Sequence, residues 1–283
     1  MEIITTVSAM VSLRDRLSRP IGLVPTMGYL HDGHLALVRL AKAQTQTTLV
    51  TIFVNPTQFG PNEDLANYPR DKEKDLSLLR QEGVDIVFTP EVDDIYPPDF
   101  STYIDVEGLT NRLEGAHRPG HFRGVATIVT KLFTIIRPDR AYFGQKDGQQ
   151  AMVIKRLTQD LNLGTQIVVV PTVRESDGLA MSSRNVYLTR AERRAAPVLY
   201  HSLMHAYQIW QSGIRSADKL REEVRSMVGK EPLARLEYVS VADAETLEEL
   251  NTVNHQAMVS IAVLFGKARL IDNVMLNSME LTS

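Results

Sequence analysis

The sequence predicts an α/β fold, a doubly wound parallel sheet followed by a smaller α+β unit. Three observations carry this prediction. Short apolar runs bounded by turn residues alternate with helix-spaced segments over the first two-thirds of the chain. Those runs are apolar at consecutive positions, as strands buried on both faces are. Beyond about residue 175 the alternation gives way to helices and then longer strands.

In order along the chain, IGLVP (21–25) is a short strand ending in a proline, and HLALVRLAKAQ (34–44) is the helix after it. TTLVTIFVN (47–55) is rich in β-branched residues and reads as a central strand. The loop PTQFGPNEDLANYPR leads to a charged helix near 71–82, closed by Gly83, and VDIVFTP (84–90) is the next strand. IYPPDF reads as a turn-rich insertion and STYIDVEG (101–108) as a further strand. Val125, Ile128, Val129, Leu132, Phe133 and Ile136 fall on one face of a helix that Pro138 ends. AYFG (141–144) is a buried strand, GQQAMVIKRLTQDLN a helix, and TQIVVVPTV (165–173) another core strand. Ligands of such sheets bind beyond the carboxyl ends of the strands, where Pro25, Asn55, Gly144 and Val173 lie.

In the second part, Thr189 and Glu192 have capping-box spacing and open a helix expected to reach about residue 212. A second helix covers about 217–228. Then come RLEYVSVAD, a short helix capped by Thr246 with Glu249, and two strands, AMVSIAVLF and ARLIDNVML. The boundary falls near 175–188, giving domains of 1–180 and 181–283. The chain shows no internal repeat and no low-complexity segment.

Composition bounds the function. With 283 residues, 43% hydrophobic and 23% charged, the chain has the profile of an ordinary globular protein. A formal net charge of −3 offers no bulk attraction for nucleic acid or a membrane surface, so neither is expected as a partner. The absence of cysteine excludes disulfides, thiolate metal sites and cysteine nucleophiles. Charges at Arg14, Asp15 and Arg16 interrupt the N-terminal stretch, which therefore does not read as a signal peptide. No run approaches the roughly 18–20 apolar residues of a membrane span. The expected location is the cytoplasm.

Three clusters can carry chemistry. In HDGH, His31 and His34 enclose Asp32 and Gly33 at the mouth of a helix. A glycine there lets an anion approach backbone N–H groups, and the imidazoles add donors, so the stretch reads as a phosphate cradle. Two histidines at i, i+3 also have metal-ligand spacing, but no third ligand is evident nearby. Neither G-x-G-x-x-G nor G-x-x-x-x-G-K-[ST] occurs, which disfavours a dinucleotide dehydrogenase and a P-loop NTPase. In FGQKDGQQ (143–150), Lys146 is a flexible cation between two glycines, suited to a β- or γ-phosphate. In GLAMSSRN (178–185), two hydroxyls and Arg184 can close over phosphates, although an interdomain linker has the same small polar composition.

Taken together, the first and third clusters resemble the HIGH and KMSKS signatures of the nucleotidyl-transferase superfamily. PTMGYLHDGH, FVNPTQF, RPGHFRGV, FGQKDGQQ, PTVRESDGLAMSSRN and ARLIDN, in that order, resemble the pantothenate synthetase (pantoate–β-alanine ligase) family over nearly the whole chain. The resemblance implies condensation of pantoate with β-alanine, using ATP and Mg²⁺, through a pantoyl adenylate. It implies a Rossmann-like first domain, a smaller second domain serving partly as a lid, and a homodimer. It places Met27, Gly28, Tyr29, Leu30, His31, Asp32, Gly33 and His34 at the ATP site, with His34 as the assigned catalytic residue. Gly144, Gln145, Lys146, Asp147, Val173, Met181, Ser182, Ser183 and Arg184 match the other nucleotide contacts, and Gln58 and Gln150 the pantoate-binding glutamines. Asn55 and Tyr68 are expected to shape the pantoate pocket or the loop over it. One departure stands out: the position after Asp147, commonly aromatic in the family, is Gly148.

The chemistry agrees with these residue types. A pantoate carboxylate, with a pKa near about 4, is ionised at neutral pH and attacks phosphorus without a general base. What it needs is a second anion held beside it and the growing phosphoryl charge stabilised, tasks for His31, His34, Lys146 and Arg184. The metal ligands are not identifiable. Arg118 and His121 flank a glycine at a helix start and are further candidates for substrate contact. His201 and His205, at i, i+4, and the run DKEKD read most simply as helix surface. The alternatives are another adenylyl- or cytidylyl-transferase and a nucleotide-binding module without catalysis.

Overall fold

The strand–helix alternation resolves into a six-stranded sheet in the computed structural model, which describes residues 1–61 and 63–277. Its strands are β1 (Glu2–Ile4), β2 (Ile21–Thr26), β3 (Thr47–Ile52), β4 (Ile86–Phe88), β5 (Arg140–Gly144) and β6 (Gln166–Val170). They pair in parallel in the order β1-β4-β3-β2-β5-β6. Helices α1 (Val7–Arg14), α2 (Asp32–Gln44), α3 (Lys72–Gln81), α4 (Val92–Ile95), α5 (Glu114–His117), α6 (His121–Ile136) and α7 (Gly148–Asp160) connect them. The order reverses between β2 and β5, so the loops after these strands diverge and leave a crevice at their carboxyl ends. This is the Rossmann-like arrangement the sequence predicts.

Why these segments become strands is visible in their burial. Ile21, Leu23, Val24, Leu49, Val50 and Val87 are fully buried, which only a sheet covered on both faces allows. Val24, Val50, Val87 and Tyr142 form one core layer with Leu37, Val38 and Ala41 of α2 and Leu79 of α3. α6 is buried along nearly its whole length and ends where Arg137 adopts a left-handed conformation (φ 52°) ahead of Pro138.

The chain divides into two compact units, Met1–Gln145 with Gln149–Pro171, and Lys146–Gly148 with the described residues from Thr172 on. The second unit holds α8 (Arg190–Ala195), α9 (Val198–Gln211) and α10 (Ala217–Val228), then β7 (Arg235–Asp243), β8 (Ala257–Phe265) and β9 (Ala268–Leu276). The strands form an antiparallel meander. Leu199, Leu203, Leu220 and Val224 pack with Val239, Val241, Val259, Ile261 and Val263 in one core. Among the described residues, no helix is long and apolar enough to cross a membrane.

Several boundaries differ from the sequence prediction for identifiable reasons. The sequence predicts a strand over 101–108, and the structure has none. The Ile104 N–H there donates to Thr127 Oγ1 of α6 (3.0 Å), and β1 occupies the outer edge of β4. The predicted helix at Thr246 is a turn. Asp243 Oδ1 accepts the N–H groups of Glu245 and Thr246, and Leu247 enters the left-handed region (φ 57°). The Thr189–Glu192 capping box forms as predicted, but the helix it opens breaks before Pro197, which lacks an N–H for the ladder. β3 ends at Ile52, three residues before Asn55 caps the turn Pro56–Gln58, and β6 ends three residues before Val173. α2 starts at Asp32, two residues earlier than its apolar pattern.

Candidate active site

The loop after β2 is set by its backbone. Gly28 (φ 83°) and Tyr29 (φ 51°) are both left-handed, a conformation that costs a non-glycine residue about 1–3 kcal/mol and persists where the surroundings hold it. The Gly28 N–H donates to Thr26 Oγ1, which itself donates to the Thr51 carbonyl on β3. The Tyr29 and Leu30 N–H groups donate to Asp75 Oδ2 and Oδ1, both at 2.7 Å. The DKEKD run therefore does not lie wholly on the surface: Asp75 is 1% exposed.

The loop delivers His31 as the N-cap of α2. His31 Nδ1 accepts the Gly33 N–H (3.2 Å), and the His31 N–H donates to His34 Nδ1 (3.4 Å), a reciprocal capping box built from two imidazoles. The ring centroids are 4.1 Å apart. Each ring accepts through Nδ1, and the neutral tautomer that permits this carries its proton on Nε2. The sequence predicts backbone N–H groups open to an anion here. Instead, the His31 ring takes the Gly33 N–H.

A second set of side chains hangs from the loop after β3. Asn55 is 1% exposed, and its amide is engaged on both sides. Its Nδ2 donates to Gln58 Oε1 (3.0 Å) and the Gly124 carbonyl (3.1 Å), while its Oδ1 accepts from Thr57 Oγ1 and Tyr96 Oη (both 2.9 Å). Burial pushes the Tyr96 phenol up to about 12, which keeps it a donor. The Asn55 donor fixes the orientation of the Gln58 amide and leaves Nε2 on the side of Met27 Sδ (3.1 Å). Tyr68 is buried in the same loop, edge-on to Phe59.

Arg118 and His121 fasten that loop to the start of α6. Arg118 pairs in bidentate fashion with Glu63 (2.7 and 2.6 Å). Burial raises the Glu63 carboxyl, but the Arg118 hydrogen bond and charge outweigh it, so the group lies below its ordinary value. His121 donates Nδ1–H to the Gln58 carbonyl (2.9 Å) and takes Arg118 at Nε2 (3.2 Å). Burial, helped by the Arg118 charge, pushes this ring down to about 4, so it is neutral at physiological pH. Both side chains thus hold the loop against the start of α6.

After β5, Gln145, Lys146 and Asp147 form a 3-10 turn ahead of Gly148, the first residue of α7. Adjacent glutamines there have different surroundings. Gln149 is 5% exposed and tied to Glu114 N, Leu109 O and Arg112 O, whereas Gln150 is half-buried.

Within the second unit, the Lys146 ammonium lies 3.3 Å from Asp147, and its carbonyl accepts from Asn273 Nδ2 (2.9 Å). The 173–181 segment doubles back: Met181 N–H donates to Val173 O, and Gly178 (φ 92°) fits because a Cβ would meet the Tyr200 ring at 2.1 Å. Ser182 caps the turn Ser183–Tyr187 by accepting the Arg184 N–H. Arg193 braces the segment through Glu175 and Asp177 (both 2.6 Å), which raises Arg193 and lowers Asp177. A narrow cleft in this unit is lined by Lys146, Ser182, Asn185 and Asp272, among others.

The sequence does not single out Asp75, Tyr96, Glu63 or Gln149. For Asp75 a signal existed: it sits four residues before fully buried Leu79, on the helix face turned inward. Among the described residues, no three His, Asp or Glu side chains converge as a metal site. A magnesium ion that arrives on nucleotide phosphates needs no such cage, because phosphate and water oxygens fill most of its shell.

The Pantoate-beta-alanine ligase family matches residues 2–275. A pantothenate synthetase of Roseiflexus sp. (strain RS-1) is 57% identical over 278 residues, 98% of this chain and 100% of that protein. The crystal structure of pantothenate synthetase from Thermus thermophilus superimposes with a TM-score of 0.94 at 45% identity, covering 98% of this chain and 100% of the other. The pantoate-beta-alanine ligase of Francisella tularensis, solved with beta-gamma ATP and beta-alanine, gives 0.80 at 37% identity and 98% coverage of each chain. With the histidine cap and the ordered motifs falling inside these matches, this chain belongs to the pantoate–β-alanine ligase family.

Proposed function

We infer that the chain is an ATP-dependent ligase that joins pantoate to β-alanine through an amide bond, releasing AMP and pyrophosphate. Family membership supports the reaction. The single observation that carries the mechanism is the reciprocal histidine cap at the carboxyl end of β2, beside the crevice where the strand order reverses. In the first step a pantoate carboxylate oxygen attacks the α-phosphorus of ATP, and the bond from that phosphorus to the β-bridging oxygen breaks. The His31 and His34 Nε2–H groups stabilise the charge that grows on the phosphoryl oxygens. Because the cap holds both rings before ATP arrives, little reorganisation opposes the reaction. Lys146 and Arg184 add positive charge for the phosphates, with Met27–Gly33, Gly144, Gln145, Asp147, Val173, Met181, Ser182 and Ser183 shaping the nucleotide site. The nucleotide phosphates would hold Mg²⁺, and the ion would supply charge neutralisation for the leaving pyrophosphate. In the second step the β-alanine free amine attacks the acyl carbon; the C–N bond forms, the acyl C–O bond breaks with its oxygen leaving on AMP, and the nitrogen's proton is released to solvent.

Gln58 and Gln150 hydrogen-bond the pantoate hydroxyls, and the Asn55 network aims the first of these amides. A homodimer and a cytoplasmic setting belong to the same proposal and rest on the family resemblance and the composition. The defining test is isotope exchange. ATP, Mg²⁺ and pantoate without β-alanine should move labelled pyrophosphate into ATP, because adenylate formation is reversible. Exchange that appears only with β-alanine would rule out a free adenylate step.

Gln58→Ala should raise the pantoate KM while leaving ATP binding unchanged. A substrate hydroxyl left unpaired in a buried site costs about 1–3 kcal/mol, roughly 5- to 150-fold. Titration of pantoate at saturating ATP measures it, and an unaltered KM and kcat would remove Gln58 from the substrate site.

A further inference from the structure

Asp75 belongs to a run of charges whose other members, Asp71, Lys72, Glu73 and Lys74, are exposed. Its own carboxylate is buried and accepts one hydrogen bond through each oxygen, from Tyr29 N and Leu30 N. A carboxylic acid carries a hydrogen on one oxygen, so only the ionised group receives both N–H donors well. Burial pushes the Asp75 carboxyl up, against the two backbone bonds, so the charge sits here at a cost to the fold. The loop is shaped to admit it. A Cβ on Gly28 would come within 2.9 Å of Asp75 Oδ2 and 3.1 Å of Ile52 Cγ2, and Tyr29 is held in a left-handed conformation. Lys74, the preceding residue on α3, lies 5.6 Å over the Tyr29 ring and touches the same loop a second time. The two peptide units so clamped come directly before His31, whose cap orients both imidazoles.

We propose that Asp75 is a positioning residue for adenylyl transfer: its carboxylate fixes the Tyr29 and Leu30 amides and thereby aims the His31–His34 pair. The proposal rests on the reading of those histidines as donors to the phosphoryl group. A purely structural aspartate would affect stability and leave the rate of the folded enzyme alone. A positioning residue shows the opposite pattern.

Asp75→Asn keeps the shape, removes a buried charge, and turns an –NH₂ towards one of the two N–H groups. The variant is expected to melt as the wild type does and to keep its KM for ATP and pantoate. Its kcat for pantoate-dependent pyrophosphate release should fall about 10²-fold, the effect of displacing reacting groups by about 1 Å. Asp75→Ala, which loses both bonds, should fall at least as far. Amide hydrogen exchange in the full chain provides the second readout, with Tyr29 and Leu30 protected in the wild type and exposed in both variants. Folded Asp75→Asn protein with wild-type kcat, or wild-type protection at Tyr29 and Leu30, overturns the assignment. Failure of the ligase reading would show in the wild type, which would release no pyrophosphate from ATP and pantoate.

Discussion

His34→Ala should slow pyrophosphate release from ATP and pantoate by about 10²–10³-fold, the usual cost of removing one preorganised donor. The side chain is half-buried at the first turn of α2, outside the apolar core of the sheet. Its removal breaks the His31 N–H to His34 Nδ1 half of the cap and the ring contact with His31, and leaves His31 Nδ1 with the Gly33 N–H. The loss of stability should therefore stay within about 1 kcal/mol. Single-turnover release at saturating ATP and pantoate, beside a melting curve, separates rate from folding. A metal-site role would instead make activity respond to zinc and chelator. Folded His34→Ala protein working at the wild-type rate would defeat the donor role.

Gly124→Ala should damage both the fold and the use of pantoate. Gly124 lies on α6, where an added Cβ would meet Thr57 O at 2.3 Å, Thr57 C at 2.5 Å and Gln58 N at 2.6 Å. These are backbone atoms, so no rotamer change relieves the clash. Overpacking of this kind costs about 1–3 kcal/mol and sometimes more. Relief requires the turn Pro56–Gln58 to move away from α6, which strains the Asn55 Nδ2 bond to the Gly124 carbonyl and carries Gln58 with it. The expected result is a lower melting temperature together with kcat/KM for pantoate down about 10²-fold, while ATP affinity holds. Wild-type values for both melting and pantoate use would show that the turn does not need this glycine.

The two variants also mark the difference between local and distant information. HDGH was legible because the cap that orders it spans two or three residues: His31 to Gly33 and His31 to His34. Spacing alone therefore placed the imidazoles at a helix mouth. Gly124 looked like an ordinary glycine inside a helical pattern, since the reason for it, the Asn55–Gln58 turn, lies 69 residues away at Asn55. Asp75 looked like one more charge on a solvated helix, because the amides it holds lie 45 and 46 residues earlier.

The sequence by itself determined the order of β2 through β6 with the main helices between them, and, in the second part, α10 and the three strands. Burial on both faces writes itself into consecutive apolar positions, and helix burial into 3.6-residue spacing. It also offered the residue types of the candidate site, because short motifs are shaped by neighbours in the chain. Only the tertiary structure decided that 101–108 is not a strand, since its Ile104 N–H meets Thr127 Oγ1 of α6 instead of a neighbouring strand. Only the tertiary structure decided that the Gly33 N–H belongs to His31, that Asn55, Arg118 and His121 hold a loop, and that Asp75 is buried. Each of these turns on which polar group meets which across the fold. A buried polar group must find a partner wherever the packing puts one, and sequence spacing does not record that distance.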